Sequence, residues 1–502
     1  MDIRITEILN LSKSSEIKSM LLLGEYPKEV LDEFSLRVNN IFHVSYIENI
    51  KKSAITFDCA VIFNLGDISK KNINYVSNFL KSDGELFAIL KKNKLLRFWR
   101  ANSILSLIKE KLKGFGFNKV QVYCLAPSIE DLRLIIPLTE NRVSAASLAL
   151  YQPSLIKARL KKTVAKVLSR VGLAVLWAPD LAMVAVKGAG NQASPQGLGA
   201  FLAKLLGRPV ELALFTGTPG YIRKPTVQVM ESSGRVLAYA KLAVNEQTKA
   251  LLANEYVILK RLHELNPQHF SVPRILHYGE VGGRDLLVLE SAKKASDRGP
   301  HTLGREQSNF LAEIWQKTAS TENFENTPAW REVKGRYDKL SPHLKADWRR
   351  RLSQGLELLE RGKCDLRIFV LAHRDFTPWN TYRQGNRLVV FDWEMAREPW
   401  PVFYDLFHFI IQPEALFNRT TGCKIFEKLT GEPIQNALRC LRKFGIEAVP
   451  WELYLLFYLC DVSLFYHEME YLEQGRGGEE RPRMFNFWGE MLDLLLQKEQ
   501  LS

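Results

Sequence analysis

Over roughly the first 190 residues, short apolar runs alternate with longer amphipathic stretches. The runs are MLLLG (20–24), IFHVSYI (41–47), DCAVIFN (58–64), ELFAIL (85–90), VQVYCLA (120–126) and LAMVAVK (181–187). Strand-length runs separated by helix-length segments predict an α/β domain with a mostly parallel sheet. A different pattern begins near residue 205. VELALFTG (210–217), KPTVQVME (224–231) and RVLAYAKLA (235–243) read as strands joined by TPGYIR and SSG. In the next segment, EQTKALLANEYVILKRLHEL, Leu251, Leu252, Tyr256, Leu259 and Leu262 recur at helical spacing with Glu255 among them. VPRILHYGEVGGRDLLVLESA adds two strands around a Gly-Gly turn, and most of the remaining chain predicts helices.

Between the two patterns lies KGAGNQASPQGLGA, Lys187 to Ala200, rich in Gly, Ala, Ser, Gln and Pro. That composition predicts a linker. The expected organisation is therefore an α/β domain over 1–188, a linker over 189–204 and an α+β domain over 205–502. The second domain divides into a small lobe over about 205–291 and a large lobe over about 292–502. The segment VGLAVLWAPDLAMVAVKG is interrupted by Pro179 and Asp180, so it predicts buried structure and no membrane span. SLIKARLKKTVAKVLSRVG places Ile156, Leu160, Val164, Val167 and Val171 on one helical face, with Lys157, Lys161, Lys162 and Arg170 mostly elsewhere. The expectation is a helix packed on its own domain with a solvated basic face. Peripheral contact with a membrane is the alternative.

At 502 residues the chain exceeds what one hydrophobic core usually supports, and its 46% hydrophobic and 25% charged content is ordinary for a globular protein. Six cysteines, scattered without a CxxC pair, argue against a disulfide framework or a zinc site and suit a reducing cytoplasm. The N-terminus lacks the pattern of a secretory signal. A net charge of +14 admits an anionic partner. Without an arginine-rich tail, zinc-finger spacing or aromatic RNA-binding signature, it argues against nucleic acid.

The densest cluster of chemistry is LAHRDFTPWN, residues 371–380, directly after the apolar RIFVLA. HRDFTPWN fits HxDxxxxN, and Asp392 in LVVFDWE follows twelve positions after Asn380. TYRQGNRLVVF between them reads as a hairpin turning at Gly385-Asn386, which brings Asn380 and Asp392 together. Phosphoryl transfer needs Mg²⁺ held by hard oxygen donors and a carboxylate where the attacking hydroxyl sits. On that logic Asp375 orients or deprotonates the hydroxyl, Asn380 and Asp392 hold metal, and His373 ties the loop to its neighbours. Upstream, Lys241 is placed to touch ATP phosphates and Glu255 to orient that lysine.

With these motifs in order, residues 205 to 495 resemble the aminoglycoside phosphotransferase and choline kinase-like branch of the protein-kinase-like fold. HRDFTPWN, VVFDWEMA and PVFYDLFHF carry the resemblance. It implies that Asp405 braces the catalytic loop, that Gly217 and Gly220 belong to the nucleotide loop FTGTPGYIRK with Arg223 nearby, and that C-terminal helices wall an acceptor pocket. Asp461, Glu468 and Glu470 are candidates to line it. Members of the branch usually carry Gly where this chain has Arg374. Only thirteen positions separate Asp392 from Asp405, too few for a protein-substrate platform, so the expected acceptor is a hydroxyl on a small molecule or sugar. The implied reaction is ATP- and Mg²⁺-dependent. A non-catalytic nucleotide-binding scaffold is the alternative.

The N-terminal part resembles a class I S-adenosylmethionine-dependent methyltransferase, a Rossmann-like fold, in the order of its runs: a first strand ending at Gly24, FDCAVIFNLGD, FLKSDGELFAIL and LKGFGFNKVQVYCLAPS. After the first strand the chain offers only Gly24 where the family has several glycines, and Glu48 is either the ribose-binding acid or a surface residue. The expectation is a domain that kept the fold and lost or altered the S-adenosylmethionine site. A bifunctional kinase-methyltransferase is the other reading.

Overall fold

The structure is a computed structural model, and it describes residues 4–14, 16–26, 28–45, 55–63, 69–91, 101–150, 156–188, 197–217, 220–291, 299, 302–417, 420–446, 449–473 and 481–499. The chain forms two compact units. The first comprises residues 1–219, 223–249 and 275–292, and the second comprises 220–222, 250–274 and 293–502. Neither matches the boundary that the linker composition suggested.

The first unit is built on a twelve-stranded sheet. Its N-terminal strands are β1 (Ser19–Leu23), β2 (Asn40–Val44), β3 (Phe57–Phe63), β4 (Leu80–Leu90), β5 (Phe117–Pro127), β6 (Leu132–Pro137) and β7 (Asp180–Lys187). β2, β1, β3 and β4 lie side by side in parallel. β7 is inserted antiparallel between β4 and β5, and β6 turns back along β5. The Rossmann-like class holds, with the parallel part confined to one end of this segment. Both faces of β3 are covered: Ala60 and Ile62 face one apolar cluster, Cys59 and Val61 the other. Burial on both faces explains why the run DCAVIFN does not alternate.

The sheet does not stop where the N-terminal segment does. β8 (Glu211–Phe215) pairs antiparallel with β6, Leu134 opposite Phe215 and Ile135 opposite Leu214. Just beyond, Thr216 donates its N–H to Arg133 O (2.9 Å) and its hydroxyl to Leu132 O (2.7 Å). β9 (Thr226–Met230), β10 (Val236–Leu242), β12 (Ile275–Val281) and β13 (Arg284–Glu290) continue the sheet in the order β8-β9-β10-β13-β12. These are the strands expected of the small lobe. One apolar cluster contains Leu22 and Val61 from the N-terminal strands together with Val227, Ala240 and Val288. Residues 189–196 of the expected linker lie outside the described residues. The rest forms the helix Leu198–Leu206, which buries Leu202 in that same cluster.

Buried Glu7 joins the two halves of this unit by charge. It accepts from Arg37 at 2.7 Å and Arg223 at 3.0 Å, and Arg284 lies 3.7 Å away. Burial alone would raise its pKa, but the three arginines hold it down at about 2.

The helix Ile156–Arg170 departs from expectation. It buries Ala165 and Ser169, while Val164, Val167 and Val171 are half or more exposed. Small residues allow closer packing than valines do, so the small side faces the domain.

The second unit is mainly helical, with helices over Arg305–Thr318, Pro328–Leu340, Ala346–Arg361, Tyr404–Phe417, Trp451–Leu472 and Arg481–Glu499. The helix Glu246–Glu264 lies largely within it. Two three-stranded sheets complete it. One orders β11 (Phe270–Ser271), β17 (Arg387–Val390) and β16 (Thr381–Gln384); the other orders β14 (Ser320–Thr321), β15 (Ile368–Ala372) and β18 (Arg397–Pro401). The segment from β8 onward has the five strands, single helix and helical remainder of a kinase-like fold.

Candidate active site

β15 ends at Ala372, and the chain leaves it through a loop pinned from one side. Asp405, in the first turn of the helix Tyr404–Phe417, accepts the backbone N–H groups of His373 and Arg374, each at 2.8 Å. Burial raises the Asp405 pKa against the pull of His373 and the two N–H bonds. The His373 ring is fully buried, 4.4 Å from the Trp393 ring. Its Nε2–H donates to Phe391 O (3.0 Å), and Nδ1 accepts from the Asp375 N–H (3.2 Å), an arrangement that fixes the orientation of the ring.

Asp375 emerges from this loop with its carboxylate 38% exposed. Asn380 donates through Nδ2 to Asp375 Oδ2 (2.7 Å) and to Asp375 O (3.0 Å). That amide orientation leaves Asn380 Oδ1 as an acceptor. The β16–β17 hairpin pairs Thr381 with Val390, and Phe391 donates its N–H to Asn380 O (3.1 Å), so Asp392 follows directly on the Asn380 backbone. Asp392 sits in left-handed backbone (φ 72°), which Asp tolerates better than most residues. Carboxylate oxygens of Asp392, Glu394 and Glu255 all lie within 4.8 Å of one another. Hard oxygen donors alone make this set of three carboxylates, which is chemistry compatible with Mg²⁺. Asn254 Nδ2 ties the Glu255 helix to this segment through Glu394 O (2.8 Å) and Ala396 O (3.0 Å).

The second unit thus brings together His373, Asp375, Asn380, Asp392, Asp405 and Glu255. Lys241 and Gly217 belong to the first unit. Lys241 lies on β10 opposite Thr226 and Leu287. Gly217 has φ 94°, and a Cβ there would come within 2.8 Å of Lys224 O, so the tight turn itself requires glycine. Gly220 belongs to the second unit, where a Cβ would meet Glu473 Oε1 at 2.7 Å. Residues 218–219 lie outside the described residues.

Three expectations need correcting. Arg223, a candidate for the nucleotide loop, binds Glu7 and donates to Thr216 O (2.9 Å). Asp461, a candidate for the acceptor pocket, is fully buried: it takes bonds from Arg374 (3.1 Å), Arg336 (2.8 Å) and the Tyr404 hydroxyl (2.7 Å). Burial would raise its pKa, yet the two arginines hold it below the usual carboxylate range. Glu468 is engaged by Arg336 (3.2 Å) and Lys339 (3.1 Å).

His408 is the residue the sequence did not reveal. It is buried one turn beyond Asp405 in an apolar helix, and its Nε2 lies 3.2 Å from Asp375 Oδ1. Since the carboxylate accepts, Nε2–H donates, which leaves Nδ1 to accept from the Tyr458 hydroxyl at 3.3 Å. Asp375 is thereby held through both oxygens, by Asn380 and by His408. A polar residue on an otherwise apolar run, three positions after Asp405, was the available signal.

At the carboxyl ends of β1 and β3, where open α/β sheets form their ligand crevice, Tyr26 lies across the gap. Its hydroxyl donates to Val61 O (3.0 Å), and its ring meets His43 and Phe63 edge-on at 5.7 and 5.4 Å. His43 Nε2 in turn reaches Gly24 O at 2.8 Å. Glu48 lies outside the described residues.

Residues 222–421 match the model of the phosphotransferase enzyme family, so the chain carries a domain of that family in its C-terminal part. Similar solved structures include choline kinase from Streptococcus pneumoniae, at 16% identity over 59% of this chain and 99% of that one with a TM-score of 0.37. Spectinomycin phosphotransferase is similar at 15% identity over 60% of this chain and 98% of that one, TM-score 0.38. An N-methyltransferase from Bradyrhizobium japonicum also matches, at 12% identity over 37% of this chain and 85% of that one, TM-score 0.22. No curated protein matches the chain.

Proposed function

We propose that the protein is an ATP- and Mg²⁺-dependent phosphotransferase that moves the γ-phosphoryl group to a hydroxyl of a small molecule or sugar in the cytoplasm. The observation that carries this reading is the Asp375 carboxylate, exposed to a reactant yet fixed on a loop whose backbone Asp405 holds twice. In this reading the acceptor hydroxyl gives its proton to Asp375 as its oxygen bonds to the γ-phosphorus, and the bridging P–O bond breaks to release ADP. Mg²⁺, held by Asn380 and Asp392, supplies charge neutralisation when bound. Lys241 contacts nucleotide phosphates and Glu255 orients it, as their order in the sequence implies. Asp375→Asn should abolish acceptor-dependent ADP release while leaving ATP binding nearly intact. Unchanged turnover in that variant would remove Asp375 from the reaction, and ATP binding without turnover in the parent protein across broad acceptor pools would favour the scaffold reading.

For the N-terminal region the proposal is a methyltransferase-like fold that serves as structure. Tyr26 and His43 supply the hydrogen bonds and apolar surface at the strand ends that a bound cofactor would otherwise meet. A methyl-transfer activity alongside the kinase is the competing reading, and binding of S-adenosylmethionine by the full chain would support it.

A further inference from the structure

We propose that the helix Ile156–Arg170 is a docking surface for a lipid membrane rich in anionic headgroups. The helix contacts its domain through Ala165 and Ser169, and Ser169 Oγ accepts from Trp177 Nε1 at 2.9 Å. Its opposite side presents Val164 (51% exposed), Val167 (54%) and, one residue beyond, Val171 (62%). Leaving the valines in water while burying a serine is unfavourable, at about 25 cal/mol per Å² of exposed apolar surface. By helical spacing this stripe runs between Lys161 on one side and Arg170 on the other. From Ile156 to Arg170 the sequence holds six basic residues and no acidic one.

An apolar stripe bordered on both sides by cations suits the plane of a bilayer interface, where valines enter the acyl boundary and cations meet phosphate. A protein partner with a mixed surface offers no reason for unbroken positive charge. Nucleic acid would use the cations and leave the valines wet. No helix among the described residues is long and apolar enough to cross a membrane, so the contact is peripheral. The inference stands independently of the kinase chemistry, whose residues lie elsewhere in the chain.

The test is sedimentation of the full-length protein with vesicles of phosphatidylcholine, with and without about 30% phosphatidylglycerol. Binding should require the anionic lipid and weaken as NaCl rises from about 0.1 to about 0.5 M. Val164→Glu combined with Val167→Glu, and separately Lys161→Glu combined with Arg170→Glu, should each lower the partition coefficient at least about tenfold. Leu36→Glu, a change at an apolar residue 80% exposed elsewhere, should bind as the parent does. All five substituted sites are at the surface, so melting temperatures should stay near that of the parent. No binding to the anionic vesicles, or equal binding by all variants, overturns the proposal. So does vesicle-free dimerisation that the double valine variant abolishes, or tighter binding to nucleic acid through the same residues.

Discussion

Replacing Arg374 tests the buried network behind the catalytic loop and the backbone that carries it. The side chain is 3% exposed, pairs with Asp461 and Glu332 at 3.1 Å each, and lies 3.8 Å from the Trp400 ring centroid. Breaking one side of a buried ion pair costs about 3–5 kcal/mol. Asp461 keeps Arg336 and Tyr404 after the loss, so Arg374→Ala should fall at the low end, about 3 kcal/mol. Arg374 also sits at φ 65°, the left-handed region that glycine occupies without strain. Arg374→Gly should therefore be less damaging than Arg374→Ala by about 1 kcal/mol. Here the ion pairs and the indole offset that strain. The assay is urea unfolding of the two variants and of Asp461→Asn, alone and combined with Arg374→Ala. Equal loss in the Ala and Gly variants would refute the strain reasoning. A loss below about 0.5 kcal/mol for Arg374→Ala would refute the network.

Other expectations follow from the same contacts. His408→Ala, which frees one oxygen of Asp375, should lower kcat about tenfold or more with little change in KM for ATP, and His408→Gln should recover part of it; a kcat within about twofold of the parent would deny His408 a positioning role. Glu7 has a folded pKa of about 2 against an ordinary 4.5, so its contribution is present above pH 4.5 and is lost as pH falls toward 2. The contribution amounts to about 3 kcal/mol, and Glu7→Gln should flatten the acid limb of a stability profile across that window; an unchanged limb would mean that another group sets it. Calorimetry of the full chain with S-adenosylmethionine should show no saturable heat up to about 1 mM, whereas a Kd below about 0.1 mM would make Tyr26 a ligand contact instead of a plug.

The parts legible in the sequence were those set by local chemistry. The hairpin between Asn380 and Asp392 could be read because Gly385-Asn386 fixes the turn and alternation fixes the register. The run DCAVIFN could be read as a strand of an α/β sheet from its length and apolar content. What stayed hidden depends on partners distant in the chain. Nothing local in LRLIIP or VELALF says that β6 and β8 will pair, since edge strands carry no address for one another. The linker composition around residues 187–200 pointed to a break because Gly and Ser are scored by flexibility, and the helix that follows is held by tertiary contact at Leu202. Asp461 read as an available acid because the arginines that enclose it lie 87 and 125 positions away. In the helix Ile156–Arg170, spacing put Val164, Val167 and Val171 on one side, but not that this side would face outward; the side chains of Ile156 and Leu160 lie outside the described residues.

The pairing of β6 with β8 has a practical meaning for anyone isolating the phosphotransferase segment. A chain started at the composition boundary would keep every candidate site residue and lose the neighbour that covers the β8 edge. It would expose a row of unsatisfied backbone N–H and C=O groups beside Leu214 and Phe215, a template for self-association. It would also strand Arg223 and Arg284 without Glu7. The N-terminal strands thus close, through β6, an edge of β8 that would otherwise stand open.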